Sequence, residues 1–257
     1  MFISSFFIRL CQEDHKITVF LDLMQELFQN QELLWLLTVV YDLSLAILLY
    51  RFFGKQGLYA AVILGIVLGN LQGGKVSQLN FFGYSFTASM GAILYSGIYF
   101  ATDVLNEKFG REEANRAVML GFVANIAVML TLLISIQFKP SEIAGSALEV
   151  HNAISTLAGY SPIFVIGSLT AYLVSQRFDV WIFHKIKVIT EGKYLWLRNN
   201  VSTICSQALD TFLYTFVWVI AGELSLVTAF GIALTKYVFK VIIALIDTIF
   251  IYWVRRW

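Results

Sequence analysis

The sequence predicts an all-α polytopic membrane protein with about seven transmembrane helices, and three observations predict it. The 257 residues are 58% hydrophobic and 14% charged, with a mean hydropathy of +0.74. A soluble domain of this length carries about a quarter charged residues. Apolar segments fall at 33–53, 57–71, 84–106, 116–138, 161–183, 200–221 and 224–254, most of them near the ~20 residues that cross a bilayer. Lys and Arg also alternate along the loops, in the order 2, 1, 3, 1, 5, 0, 2 after successive segments. Cytoplasmic loops hold the excess of cations, which places the N-terminus outside and the C-terminus in the cytoplasm of a multi-pass cell-membrane (inner-membrane) protein.

Residues 1–32 read as an N-terminal extension or interfacial segment. Arg9, Glu13, Asp14, His15 and Lys16 interrupt the apolar start, no small-residue cleavage site follows, and Met24 is a more natural-looking start. Residues 33–257 read as one transmembrane domain. The second segment is short, and an irregular continuation through Leu71–Lys75 is expected to extend it. The outer loop 139–160 has the pattern of a short amphipathic helix or lid. The inner loop 184–199 is basic and aromatic, which suits an anionic leaflet surface. Trp181, Trp196, Trp253 and Trp257 are placed like an interfacial belt.

The composition excludes several functions. A net charge of +1 gives no case for a nucleic-acid partner. Cys11 and Cys205 are far apart, and the three His residues have no metal-ligand spacing, so neither a disulfide framework nor a metal site is expected. P-loop, GxGxxG, GxSxG, HExxH and GxGD patterns are absent, so neither a cofactor nor an enzyme is expected. A retinal-binding reading of Lys240 is opposed by Lys236, which stands where a counter-ion Asp belongs, and by the lack of an Arg in the third segment.

Polar residues inside apolar spans carry the functional signal, because lipid offers them no hydrogen bonds. Lys240 lies near the middle of the last segment, and a charge at that depth is costly unless it has a partner. At ~100° per residue, Lys236, Lys240 and Asp247 fall within about 40° of one another. The sixth segment carries Thr203, Gln207, Asp210 and Tyr214 on one face, with Asp210 at a depth like that of Lys240. Asp210 and Asp247 are therefore both candidate partners for Lys240. The fifth segment ends in Tyr172, Gln176 and Asp179 on one face, and the third carries Tyr95, Tyr99, Thr102 and Asn106. Asp103, Glu107, Arg177 and Asp179 fall near the cytoplasmic boundary, where solvation is easy. Single Thr, Ser and Asn residues in spans commonly serve helix packing.

The stretch ATDVLNEKFGREEANRAV at 101–118 resembles a signature of the YhhQ family of queuosine precursor transporters. So do VSQLNFF (76–82), AYLVSQRFDVWIFH (171–184), LRNNVSTICSQALDT (197–211) and KYVFKVIIALID (236–247). Members commonly have six spans, so this chain has an extra first one. The resemblance implies uptake of 7-deazaguanines (preQ0, preQ1 or queuine) and a fold similar to the substrate-binding components of energy-coupling-factor transporters. It leaves open a chain that works alone or as the binding subunit of an ATP-driven system. Matching polar positions are Asn70, Thr102, Asp103, Gln176, Asp179, Asp210, Thr211 and Lys240. A guanine-like edge offers N1–H and N2–H to a carboxylate and takes a donor at O6. Asp210 and Gln176 are expected to read that edge, with Asp103 and Lys240 as partners or gate. Tyr95, Tyr99 or Tyr214 would stack on the ring.

Overall fold

A computed structural model describes residues 29–81, 84–141, 145–159 and 162–256, so most of the N-terminal extension, and Trp257, lie outside the described residues. Among the described residues the chain forms eight helices and one hairpin: α1 (Gln31–Phe53), α2 (Lys55–Leu71), β1 (Val76–Phe81), β2 (Tyr84–Ser89), α3 (Met90–Phe109), α4 (Arg111–Ser135), α5 (Ala147–Ala158), α6 (Pro162–Ile189), α7 (Leu195–Ile220) and α8 (Leu226–Arg255). The protein is an all-α polytopic membrane protein with a small hairpin appended. Helices α1, α4, α7 and α8 are long and apolar enough to cross a membrane, and α5 with α6 forms a fifth such unit if the bent pair is one span. The other predicted spans fall short for identifiable reasons. Helix α2 has only 17 residues. Helix α3 carries Ser96, Thr102, Asp103 and Asn106, all turned inward, which lowers its hydropathy without exposing polarity to lipid.

Helix α3 is the centre of the molecule. Ile98 through Leu105 are all buried, on every side of the helix, the pattern of a helix enclosed by its neighbours. Helices α1, α2, α4, α6 and α8 all pack on it. The α2–α3 approach depends on small residues: a Cβ on Gly65 would lie 2.6 Å from Ile98 Cγ1, and one on Gly91 would lie 2.1 Å from the Gly69 carbonyl oxygen. Close approach through small residues is the usual way apolar helices gain packing where lipid gives no hydrophobic drive. Helix α1 is fastened by Asp42, whose carboxylate accepts from Gly97 N–H at 2.7 Å and Ser96 Oγ at 3.0 Å.

Three expectations change. The third segment does not start as a helix at 84: residues 84–89 pair antiparallel with 76–81, from Val76↔Ser89 to Phe81↔Tyr84. The two stretches carry Val76, Phe81, Tyr84, Phe86 and Thr87, residue types that favour strands. The irregular extension beyond Leu71 is therefore the lead into a hairpin, tied to the start of α1 by Asn80 N–H donating to Glu32 Oε1 at 2.7 Å. The basic loop expected at 184–199 is mostly helical. Helix α6 runs to Ile189 and α7 begins at Leu195, joined by a turn in which Glu191, Gly192 and Tyr194 all have positive φ. Long basic side chains let a helix continue past its apolar part, because their ends reach polar surroundings. Lastly, Asp103 and Asp179 are not at a solvated boundary but are wholly buried. Loop 139–160 does contain a helix, α5. Trp181, Trp196 and Trp253 are 40%, 52% and 51% exposed.

The ends of the bundle differ. At one end Glu107 of α3 receives Arg198 of α7 through Nη2 at 2.7 Å and Nε at 3.0 Å, Lys187 of α6 at 3.4 Å and Arg255 of α8 at 3.8 Å. Arg198 has no exposed surface and also donates to the Lys193 carbonyl at 2.8 Å. Nearby, Glu113 joins Lys55 at 2.8 Å, Arg116 and the Tyr59 hydroxyl. The opposite end carries the hairpin, α5 and a cavity.

Candidate functional site

The cavity has a volume of about 440 Å³, within the range of small-molecule sites. It lies between α2, α3, α4, α6, α7 and α8, touches α5 at Leu157, and extends to Gly73, Val76 and Ser89 at the base of the hairpin. Asp210 and Lys240 form part of its wall, with Lys240 Nζ 2.6 Å from Asp210 Oδ2. Each residue keeps only 8% of its surface exposed. Asp210 is thus the partner of Lys240, while Asp247 accepts instead from Asn199 Nδ2 at 2.8 Å. The second oxygen of Asp210 accepts a long bond from Ser175 Oγ, 3.4 Å. Lys236, one turn before Lys240, lines the same cavity, and no carboxylate among the described residues lies within 4 Å of its ammonium.

The rest of the wall is amide, hydroxyl and ring. Asn70 Nδ2 donates to the Ile66 carbonyl at 2.8 Å and lies 3.4 Å from Tyr95 Oη, while its Oδ1 accepts from Ser168 Oγ at 2.8 Å. Helix α7 turns Asp210, Thr211, Tyr214, Thr215 and Trp218 into the cavity, a 4-and-3 spacing that is one helical face. Trp218 packs on Phe164 with ring centroids 4.2 Å apart and meets Tyr214 edge-on. Thr211 Oγ1, Thr215 Oγ1 and Asn125 Oδ1 are buried in this wall without a hydrogen-bond partner. Buried polar atoms are nearly always paired with protein or water, so these three offer hydrogen-bonding capacity to whatever fills the cavity.

The sequence-selected residues divide into two layers. Asp210, Lys240, Asn70, Thr211 and Tyr214 line the cavity. Gln176, Asp103, Asp179, Thr102 and Tyr99 lie off its wall, in a wholly buried polar core between α3, α6 and α7. There Thr102 Oγ1 donates to Gln176 Oε1 at 3.3 Å, Ser206 Oγ to Asp179 Oδ1 at 2.8 Å, Thr203 Oγ1 to Asp103 Oδ2 at 3.4 Å, and Tyr99 Oη to Ser175 Oγ at 3.3 Å. Gln176 Nε2 has no partner, while the Asp103 and Asp179 carboxyl groups interact directly with each other. A separate small void of about 10 Å³ beneath Lys240 is lined by Tyr99, Thr203, Gln207 and Asp247.

Sequence reasoning missed Ser168, Trp218 and Asp42. The first two carried a signal. Ser168 extends the Tyr172–Gln176–Asp179 stripe back by one turn, and Trp218 extends the Asp210–Tyr214 stripe forward by one. Asp42 is a lone carboxylate in a span, with no stripe to join.

The profile of a family described as "Putative vitamin uptake transporter" matches residues 89–254, the part of the chain that holds α3 to α8. A Bacillus subtilis protein named "Probable queuosine precursor transporter" is 37% identical over 186 residues, covering 71% of this chain and 77% of that protein. A Haemophilus influenzae protein of the same name is 26% identical over 131 residues, 51% of this chain and 52% of its own length. No solved structure matches. A profile spanning most of the chain and a relative this similar over most of its length lead to one conclusion: the chain belongs to the vitamin uptake transporter family.

Proposed function

We propose that the chain takes up queuosine precursors, 7-deazaguanines, across the cell membrane, and that the cavity beside Asp210 and Lys240 holds them. The observation that carries this reading is the cavity wall: a carboxylate and ammonium side by side, two amides, two unpaired hydroxyls, and Tyr95, Tyr214, Phe164 and Trp218 as flat apolar surface. A 7-deazaguanine has the matching inventory, a planar π-face and an edge with two donors and one acceptor. The relatives' names point to the same substrates. Asp210 accepts from the N1–H and N2–H edge, and Lys240 or Asn70 donates to O6. Asp103, Asp179, Thr102, Gln176 and Tyr99 form the buried layer that holds α3, α6 and α7 in register beneath the ligand.

The basic ends of α1, α3, α6 and α8 face the cytoplasm by the positive-inside rule. The cavity then opens toward the outside, at the hairpin, as an uptake protein awaiting substrate requires. Uptake of labelled preQ0, preQ1 and queuine is measured in cells that lack their own synthesis, with and without this chain. Uptake that depends on the chain, and that falls at least about tenfold with Asp210→Asn or Lys240→Ala at equal membrane levels, supports the reading. Wild-type uptake by both variants removes the site assignment. Transport by the purified chain in liposomes separates a self-sufficient carrier from the binding subunit of an ATP-driven system.

A further inference from the structure

The charge of the cavity wall narrows the substrate. Its charged residues among those described are Asp210, Lys236 and Lys240. Asp210 is already neutralised by Lys240 at 2.6 Å, which leaves the Lys236 ammonium as the uncompensated charge. No second carboxylate lines the described wall. Asp103, Asp179 and Asp247 are shut in the layer below, on their own partners in α7. Asp42 is held between α1 and α3 by Gly97 and Ser96.

Resting on the uptake function proposed above, we infer that the cavity selects 7-deazaguanines whose 7-substituent is uncharged and accepts a hydrogen bond, and rejects those bearing an ammonium, with Lys236 as the specificity-determining residue. A 7-cyano group presents a nitrogen lone pair, and an ammonium donor satisfies it. A 7-aminomethyl group is an alkylammonium at neutral pH, like a lysine side chain. Placed in this cavity it would meet Lys236 with no free carboxylate to offset the repulsion. Like charges brought together out of bulk water are strongly disfavoured, and this is the usual form of discrimination against a wrong ligand. The secondary ammonium of queuine meets the same opposition.

The test compares binding of 7-cyano-, 7-hydroxymethyl- and 7-aminomethyl-7-deazaguanine to the purified full chain in detergent or nanodiscs. The hydroxymethyl compound has the size of the aminomethyl one without its charge. The expected order places both neutral compounds at least about tenfold tighter than the cation, a difference of ~1.4 kcal/mol. Lys236→Gln is expected to narrow that ratio, Lys236→Glu to invert it, and Lys236→Arg to keep it. Equal or tighter binding of the aminomethyl compound by the unaltered chain overturns the inference while leaving the uptake function standing, as does a ratio indifferent to all three substitutions. Binding of none of the three compounds overturns the inference together with the uptake reading it rests on.

Discussion

Lys240 and Asp210 are each more than nine-tenths buried, and neither is stable there alone. A buried ion pair contributes little net stability, but removing one partner strands the other charge and costs about 3–5 kcal/mol. Lys240→Ala is therefore expected to lower the melting temperature of the detergent-solubilised protein clearly. Adding Asp210→Asn to it should recover part of the loss, while ligand binding stays absent in the double variant. Recovery of binding along with stability would show that the pair is only structural. The sequence exposed Lys240 well, because an ammonium in an apolar run has no ordinary explanation. It could not choose between Asp210 and Asp247, because helical angle favours a residue on the same helix. In the structure, side chains on one stripe point the same way, and the partner comes from the facing helix.

At the scale of elements, the contact between α2 and α3 shapes one side of the cavity. Gly69 and Gly91 both line it, and a Cβ on Gly91 would meet the Gly69 backbone. A backbone neighbour cannot rotate aside, so Gly91→Ala must push the helices apart. The expected cost is about 1–3 kcal/mol, typical of overpacking, read as a lower melting temperature and weaker ligand binding. The same substitution at Gly145, which has open space around it, should change neither. Helix positions were legible in the sequence from hydropathy, and the inward-facing polar stripes from residues at 3-and-4 spacing. The hairpin was not. YSFTAS is apolar enough to pass as the start of a span, and its strand-favouring Tyr84, Phe86 and Thr87 become meaningful only beside VSQLNF, which pairs with it. Helix ends in the basic loop were also hidden, since charge marks the edge of a membrane and not the end of a helix.

For the whole molecule, orientation is the testable property. With Cys11 and Cys205 replaced by Ser, Lys193→Cys and Ser146→Cys place single thiols in exposed turns near opposite ends of the bundle. A membrane-impermeant maleimide is expected to label residue 146 in intact cells and residue 193 only after permeabilisation. The reverse pattern would turn the protein over and make the cavity face inward. Loop charge alone gave this expectation, because lipid and translocation read the count of cations and not the fold. The depth of Asp103 and Asp179 was beyond it. Distance from the loop placed them at a boundary, whereas enclosure by five helices removes them from solvent.

The Glu107 cluster has a kinetic meaning. One carboxylate gathers cations from α6, α7 and α8 onto α3 at the end away from the cavity. An exit for substrate at that end would have to draw Arg198 and Lys187 from Glu107, which makes the cluster a candidate latch on the population open at that end. Glu107→Gln keeps a hydrogen-bonding group while removing the charge. Its expected phenotype is a shift of the conformational equilibrium, with faster exchange of bound substrate through the basic end and weaker capture from the other, as a latch loosened on a door that swings between two rooms.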